Sequence, residues 1–250
     1  MSAYEALAAS YDALTYDVPY DKILRFWETL LRRFRVRPGS VLDLACGTGS
    51  LSVLLARSGY HVIGADRSEQ MLCQAEQKAQ QLPENRPFFI CQPMQRLRLP
   101  EPVDAVICCL DSINYLTDPA DCRRTFARVF DALKPGGLFV FDVDTPYKLR
   151  SLNGQVFLDE REGAYCVWRA EYRERARRLY YGMDLFTQQG KLWARSFEEH
   201  VEYAYTMEEL TQYLNEAGFS DVRLFADRKL RSPEPTELRV YFAAKKDEKT

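Results

Sequence analysis

Val41-Leu42-Asp43-Leu44-Ala45-Cys46-Gly47-Thr48-Gly49-Ser50 is the stretch from which the rest of the chain is read. The apolar run 41–44 predicts a buried strand, Gly47 and Gly49 a tight turn, and the spacing of Leu51, Leu54 and Leu55 the start of a helix. Glycines at such a turn let the backbone approach a ligand, because no Cβ stands in the way. The next apolar segment, His61-Val62-Ile63-Gly64-Ala65-Asp66, ends in an acid suited to accept hydrogen bonds from a ribose diol. Together they predict nucleoside binding at the carboxyl edge of a parallel sheet.

Two cofactor classes use that geometry. A dinucleotide fold requires G-x-G-x-x-G, with a pyrophosphate on a helix N-terminus. Here Ala45 stands at the first glycine position and Ser50 at the sixth, and an acid, Asp43, sits inside the strand. Such an acid repels a pyrophosphate and attracts an ammonium group. S-adenosylmethionine carries an ammonium and a sulfonium and no phosphate, so it is the better fit.

At this point the chain resembles the class I methyltransferases. Residues 41–50 resemble their first motif, and Asp66 is similar to their ribose-binding acid. The segment Val103-Asp104-Ala105-Val106-Ile107-Cys108-Cys109-Leu110 resembles the fourth core strand. Leu133-Lys134-Pro135-Gly136-Gly137-Leu138-Phe139-Val140-Phe141-Asp142 resembles the helix-turn-strand entry to the fifth. The resemblance spans 36–145 and resumes at 205–219, and it is nearest to small bacterial enzymes with a Tyr-rich first helix, here Tyr11-Asp12 and Asp17-Val18-Pro19-Tyr20. It implies a Rossmann-like α/β fold, mostly parallel with an antiparallel last strand and helices on both faces. Some relatives of that architecture are similar to sugar or glycine N-methyltransferases.

The chain has 250 residues, a formal net charge of −2 and seven cysteines. That length suits one large α/β domain or one domain with an insertion, and the charge gives no preference for polyanions. No apolar run is long enough to span a bilayer, and Met1-Ser2-Ala3-Tyr4-Glu5 lacks the basic and apolar blocks of a signal peptide. The cysteines show neither C-x-x-C nor metal-ligand spacing, so buried reduced thiols, no metal and a cytoplasmic location are expected.

The first forty residues read as helical, with Tyr4, Leu7, Ala8, Tyr11 and Leu14 on one face and Ile23, Phe26, Trp27, Leu30 and Leu31 on another after Pro19. Strands at 40–45, 60–65, 87–91, 103–109 and 137–143 then alternate with helices at 50–57, 68–80 and 119–133. Such alternation gives a parallel sheet with right-handed crossovers. After Asp144 the pattern changes to aromatic-rich alternating runs broken by Gly163, Gly182 and Gly190, which read as antiparallel strands. A helix at 206–217 ends at Gly218, and strands near 221–226 and 238–243 close the main sheet. The expected organisation is a Rossmann-like unit of 1–146 and 204–250 with 147–203 inserted as an antiparallel acceptor lid, which in similar enzymes lies over the methyl-transfer end.

Methyl transfer needs alignment more than covalent help, and alignment alone accounts for roughly 7–11 kcal/mol of barrier. The cofactor site is therefore better marked than the chemistry. Asp43 is read as the partner of the ammonium or as a cap on the glycine loop, Gly47 and Gly49 as cofactor-contacting backbone, and Asp66 as the ribose ligand or a helix N-cap. Arg67 follows as a flank for the adenine or a solvated arginine. The resemblance brings Ala45, Met71 and Leu110 to the same site and folds Tyr11 over the cofactor.

Where similar enzymes carry an acid after the third strand, this chain has Cys91-Gln92-Pro93-Met94-Gln95. Proline offers no side-chain acceptor, so the adenine amino group is left to Gln92, a backbone carbonyl or water, with Met94 on the ring. Asp111, Ser112, Asn114 and Tyr115 crowd the loop after the fourth strand, Asp111 toward the cofactor and Asn114 or Tyr115 toward the acceptor. Asp144 at the end of the fifth strand is a candidate for attracting an amine or accepting a proton. His200, beside Glu198, Glu199 and Glu202, is a candidate base, and His61 is read as structural. The arginine-rich run 169–178 is interleaved with glutamates and reads as a solvated hairpin face rather than an RNA site.

The leading expectation is S-adenosylmethionine-dependent methylation of an amine or hydroxyl on a small molecule, by a monomer or homodimer with no membrane or nucleic-acid partner. Methylation of RNA or protein, and a non-catalytic cofactor-binding role motivated by Pro93, are the alternatives. An NAD-binding oxidoreductase is disfavoured by Asp43, Ala45 and Ser50.

Overall fold

The computed structural model describes residues 11–161 and 163–247. The expectations on Tyr4, Leu7 and Ala8 lie outside the described residues. Strands β1 (Ser40–Leu44), β2 (His61–Asp66), β3 (Phe88–Cys91), β4 (Val103–Cys108) and β5 (Leu133–Asp144) are joined by helices α3 (Ser50–Arg57), α4 (Glu69–Ala79) and α5 (Pro119–Ala132). They follow the helices α1 (Tyr11–Leu14) and α2 (Tyr20–Phe34). After β5 come α6 (Pro146–Ser151) and four strands, β6 (Val156–Arg161), β7 (Ala164–Arg173), β8 (Arg178–Gln189) and β9 (Leu192–Tyr203). The chain then runs through α7 (Met207–Ala217), β10 (Asp221–Ala226) and β11 (Arg239–Lys245).

The main sheet has the order β10-β11-β5-β4-β1-β2-β3. β1 to β5 pair in parallel, while β11 runs antiparallel to both β5 and β10. Both faces are covered, so its strands are buried on both sides. Leu42, Leu44, Val106, Cys108, Phe139, Phe141 and Phe242 pack toward α5 and α7. Val41, Ala105, Ile107, Leu138, Val140 and Tyr241 pack toward α2 and α3. In α2, Ile23, Phe26, Trp27, Leu30, Leu31 and Phe34 recur at three- and four-residue steps and fill that second core.

Local chemistry sets the element ends. Ser68 caps α4 through Met71 N–H, and Thr206 with Glu209 forms a reciprocal capping box on α7, which stops at Gly218 with φ 107°. The expected turn at 134–137 differs: these residues already belong to β5, which pairs with β4 through a bulge between Val103 and Ala105. Gly137 permits this, since a Cβ there would stand 2.9 Å from Lys134 O and 3.0 Å from Asp104 O.

The antiparallel strands form a separate sheet, β6-β7-β8-β9. Period-2 alternation gives it two faces. Cys166, Met183 and Leu185 form a small buried cluster against which Tyr11 and Trp168 pack. On β9, Glu198, His200 and Glu202 fall at alternate positions and are all buried. The arginine-rich run is spent on acids and carbonyls nearby: Arg169 pairs with Asp184, Arg177 with Glu209, and Arg178 donates to Thr117 O. The cysteines correct one expectation. All are free, but Cys73 and Cys91 are exposed and Cys46 is half-buried. Among the described residues no helix is long and apolar enough to cross a membrane.

Candidate active site

A cavity of about 340 Å³ opens at the carboxyl edge where β1 and β4 lie side by side. Here β1 leads toward β2 and β4 toward β5, the switch point at which open α/β sheets collect ligands. Its lining comes from the loops after β1 to β4: Asp43 and 45–48, Asp66, Arg67 and Met71, 92–95, Cys109, Leu110, Ser112 and Tyr115, with Tyr11 and Tyr20 from the N-terminal helices.

The glycine loop is tied to the second strand. Gly47 N–H donates to Asp66 Oδ2 (2.9 Å) and Ser68 N–H to Asp66 Oδ1 (2.9 Å), which fixes the carboxylate's orientation. Burial raises the Asp66 carboxyl above its ordinary range, and those two N–H bonds pull against the rise. Gly47 has φ +54°, and nothing lies within 4 Å of where its Cβ would be, so the loop is bare on that side. Gly49 differs. It does not line the cavity, and its Cβ would meet Ala75 Cβ at 2.7 Å, so close packing of α3 on α4 requires the glycine.

Asp43 is 2% exposed and accepts a 2.5 Å hydrogen bond from Ser52 Oγ. Burial pushes its carboxyl up to about 7. A buried acid so poised is stabilised by any cation brought to it. Ala45 and Leu110 hold φ 58° and 59°, a conformation that costs residues with a Cβ some energy. In the second loop the Asp142 carboxylate holds the strained pair Leu110 and Asp111 by accepting both backbone N–H groups (3.0 and 2.8 Å).

The segment expected beside the adenine, 92–95, lines the cavity. Gln92 lines the cavity, but its carboxamide clamps the Arg98 backbone, accepting from N–H at 2.8 Å and donating to O at 3.3 Å. Pro93 opens a short 3-10 turn, Met94–Arg96, that brings Met94 to the lining. Sequence reading missed a network over the loop. Lys78 Nζ pairs with Asp12 Oδ2 (2.6 Å) and donates to Thr48 Oγ1 and Ser50 Oγ (2.8 Å each), while Thr48 Oγ1 donates to Asp12 (2.7 Å). No local pattern brings Asp12, Thr48 and Lys78 together, so nothing short-range announces it.

On the far side of the cavity Tyr115 approaches the second sheet. Its hydroxyl lies 3.5 Å from His200 Nδ1, and His200 Nε2 lies 3.2 Å from Glu198 Oε2. With the ring proton on Nε2 and donated to Glu198, Nδ1 is left as an acceptor facing the tyrosine. Asp111 and Asp144 do not line the cavity. Instead Arg239 bridges Asp111 (2.5 Å), Asp142 (2.7 Å) and Asp144 (2.9 Å), and Lys148 also pairs with Asp144. Arg239, an isolated cation opening an apolar strand, was the signal for this cluster.

A family model for a methyltransferase domain matches residues 41–137. YqeM of Bacillus subtilis (strain 168), named as a candidate methyltransferase, is 33% identical over 246 residues, covering 97% of both chains. A crystal structure of an S-adenosylmethionine-dependent methyltransferase from Clostridium acetobutylicum superposes with a TM-score of 0.86 at 29% identity, covering 98% of this chain and all of that one. The chain is a class I S-adenosylmethionine-dependent methyltransferase.

The methyltransferase fold extends to more distant structures. S-adenosylmethionine-bound CalS10, an amino pentose methyltransferase from Micromonospora echinaspora, superposes with a TM-score of 0.74 at 22% identity over 98% of this chain and 97% of its own. The cavity of this methyltransferase fits its cofactor: it combines a bare glycine turn, a buried acid and an oriented carboxylate. When bound, the cofactor supplies a methyl group already activated on sulfur.

Proposed function

We propose that the protein methylates an amine or hydroxyl of a small molecule, which enters between the cofactor cavity and the four-stranded sheet. In this reading Asp66 takes the ribose hydroxyls, Asp43 the cofactor ammonium, and Gly47 with Ala45 the backbone contact. Arg67, Met71, Gln92 and Met94 surround the adenine, with Leu110 and Tyr11 closing the amino-acid end. Residues 147–203 act as the acceptor lid on a Rossmann-like unit of 1–146 and 204–250.

One observation carries the proposal. Tyr115 lines the cofactor cavity and also reaches His200 on the second sheet, with Glu198 behind it. A tyrosine hydroxyl backed by an imidazole and a carboxylate can receive a proton from an acceptor and pass it away, which typically contributes about 10²- to 10⁴-fold. CalS10, which shares this fold, is an amino pentose methyltransferase, a name that denotes a small acceptor. The test is release of S-adenosylhomocysteine with small amines and alcohols at rising salt. Turnover insensitive to salt supports the reading. Turnover only on RNA, with steep salt dependence, overturns it.

A further inference from the structure

Asp111, Asp144 and Glu202 each present a carboxylate oxygen, and the three oxygens lie within 4.8 Å of one another. They come from different places: the loop after β4, the end of β5, and β9 of the second sheet. Asp111 immediately follows Leu110, which lines the cofactor cavity, so the group stands beside that cavity. Asp142 adds a fourth acid. Against these four stand two cations, Arg239 on the three aspartates and Lys148 on Asp144.

Glu202 is the acid left over. It is 3% exposed, and its Oε2 is buried without a hydrogen-bond partner among the described residues. Such an atom is costly to bury and asks for a donor. Burial, with Asp111 and Asp144 nearby, drives its carboxyl well above the ordinary range. Tyr181 borders the group. The Tyr181 hydroxyl feels Glu202, Asp111 and Asp144, and Trp168 meets Tyr181 edge to face at 6.2 Å.

We infer that the methyl acceptor carries a protonated amine, and that Asp111, Asp144 and Glu202 receive it, with Tyr181 alongside. The inference rests on the methyltransferase reading above and deepens it by naming the substrate class. Carboxylates supply the counter-charge and the hydrogen-bond acceptors that an ammonium requires, and an aromatic neighbour adds attraction for a cation. A divalent metal suits the group less well, because Arg239 and Lys148 already touch two of its three ligands.

The test uses the full chain saturated with S-adenosylhomocysteine and two matched pairs of probes, glucosamine with glucose and cyclohexylamine with cyclohexanol, titrated calorimetrically at pH 7. At least one amine should bind tenfold or more tightly than its neutral partner. Glu202→Gln should erase that preference while S-adenosylhomocysteine affinity is unchanged. Glu202→Met replaces it if the glutamine variant no longer holds the cofactor product. Equal binding of amine and neutral partner, or a preference that survives both variants, overturns the inference. Binding of Mg²⁺ or Mn²⁺ that depends on Glu202 also overturns it, in favour of a metal. Failure of the parent chain to bind S-adenosylhomocysteine is a separate result, and sinks the cofactor site rather than the amine assignment.

Discussion

Gly47 N–H donates to Asp66 Oδ2 at 2.9 Å, so the turn after β1 and the acid after β2 act as one unit. Asp66→Ala removes that tie together with the proposed ribose acceptor. Hydrogen bonds to a charged group are worth about 1.5–3 kcal/mol each, so S-adenosylmethionine affinity should fall roughly 10- to 100-fold or more. Calorimetric titration checks this, and unchanged affinity would sink the assignment of Asp66.

The two loop glycines should separate stability from binding. Gly49→Ala forces a Cβ to 2.7 Å from Ala75 at φ +73° and should lower stability by about 1–3 kcal/mol. Gly47→Ala meets no atom within 4 Å, so its thermal cost should be near the 1–2 kcal/mol of the left-handed backbone alone. Its larger effect should appear in cofactor titration, because the new methyl group fills the bare side of the loop. Melting curves and titrations of both variants decide between the two roles.

Asp43 should make cofactor binding depend on pH. Its carboxyl is raised to about 7 by burial, and the proposed contact with the cofactor ammonium needs the ionised form. Affinity should therefore rise about tenfold from pH 6 to pH 8, and Asp43→Asn should flatten the curve. The stability effect in the free protein has the opposite sign. A raised acid favours the fold most below the unfolded value near 4 and loses that contribution as pH rises through about 7. Denaturant melts from pH 4 to 8 should show a smaller loss in the asparagine variant than in the parent chain, the remainder coming from other raised acids, among them Asp66 and Glu202.

Tyr115→Phe deletes the hydroxyl beside His200 Nδ1 and should leave cofactor affinity intact. If the Tyr115–His200–Glu198 chain carries the proton, kcat should fall by about 10²- to 10⁴-fold. A variant with full kcat would leave the chain a structural role only.

Arg239→Met leaves three aspartates without their shared cation. Breaking a buried pair from one side costs about 3–5 kcal/mol. The deficit should shrink as pH falls, since protonated aspartates no longer repel, and grow again above neutrality. A deficit constant with pH would assign the loss to packing instead.

What could be read from the sequence followed from local rules. The run 41–44 is apolar apart from Asp43 because the sheet is covered on both sides, and the glycine turn and Asp66 stand within one strand-helix-strand unit. The alternation in β9 also carried a message: Glu198, His200 and Glu202 had to share a face, although His200 alone was singled out. What stayed hidden depends on distant contacts. Arg239 meets Asp111 only because β11 inserts beside β5, and the Gln92 carboxamide bonds the Arg98 backbone while Gln92 still lines the cavity, a contact that no spacing encodes.

The antiparallel entry of β11 beside β5 has a consequence for how the molecule is made. Synthesis runs from the N-terminus, and units fold as they emerge. The strands that frame the cofactor loops, β1 to β5, precede the second sheet and β11 on the ribosome, so the nucleoside half has its parts first. Asp142 and Asp144 must wait, unneutralised by Arg239, until β11 docks. A nascent chain halted before that strand would display the strands of the cofactor cleft with Asp142 lacking its cation, so the acid cluster is completed last and its assembly marks the finished fold.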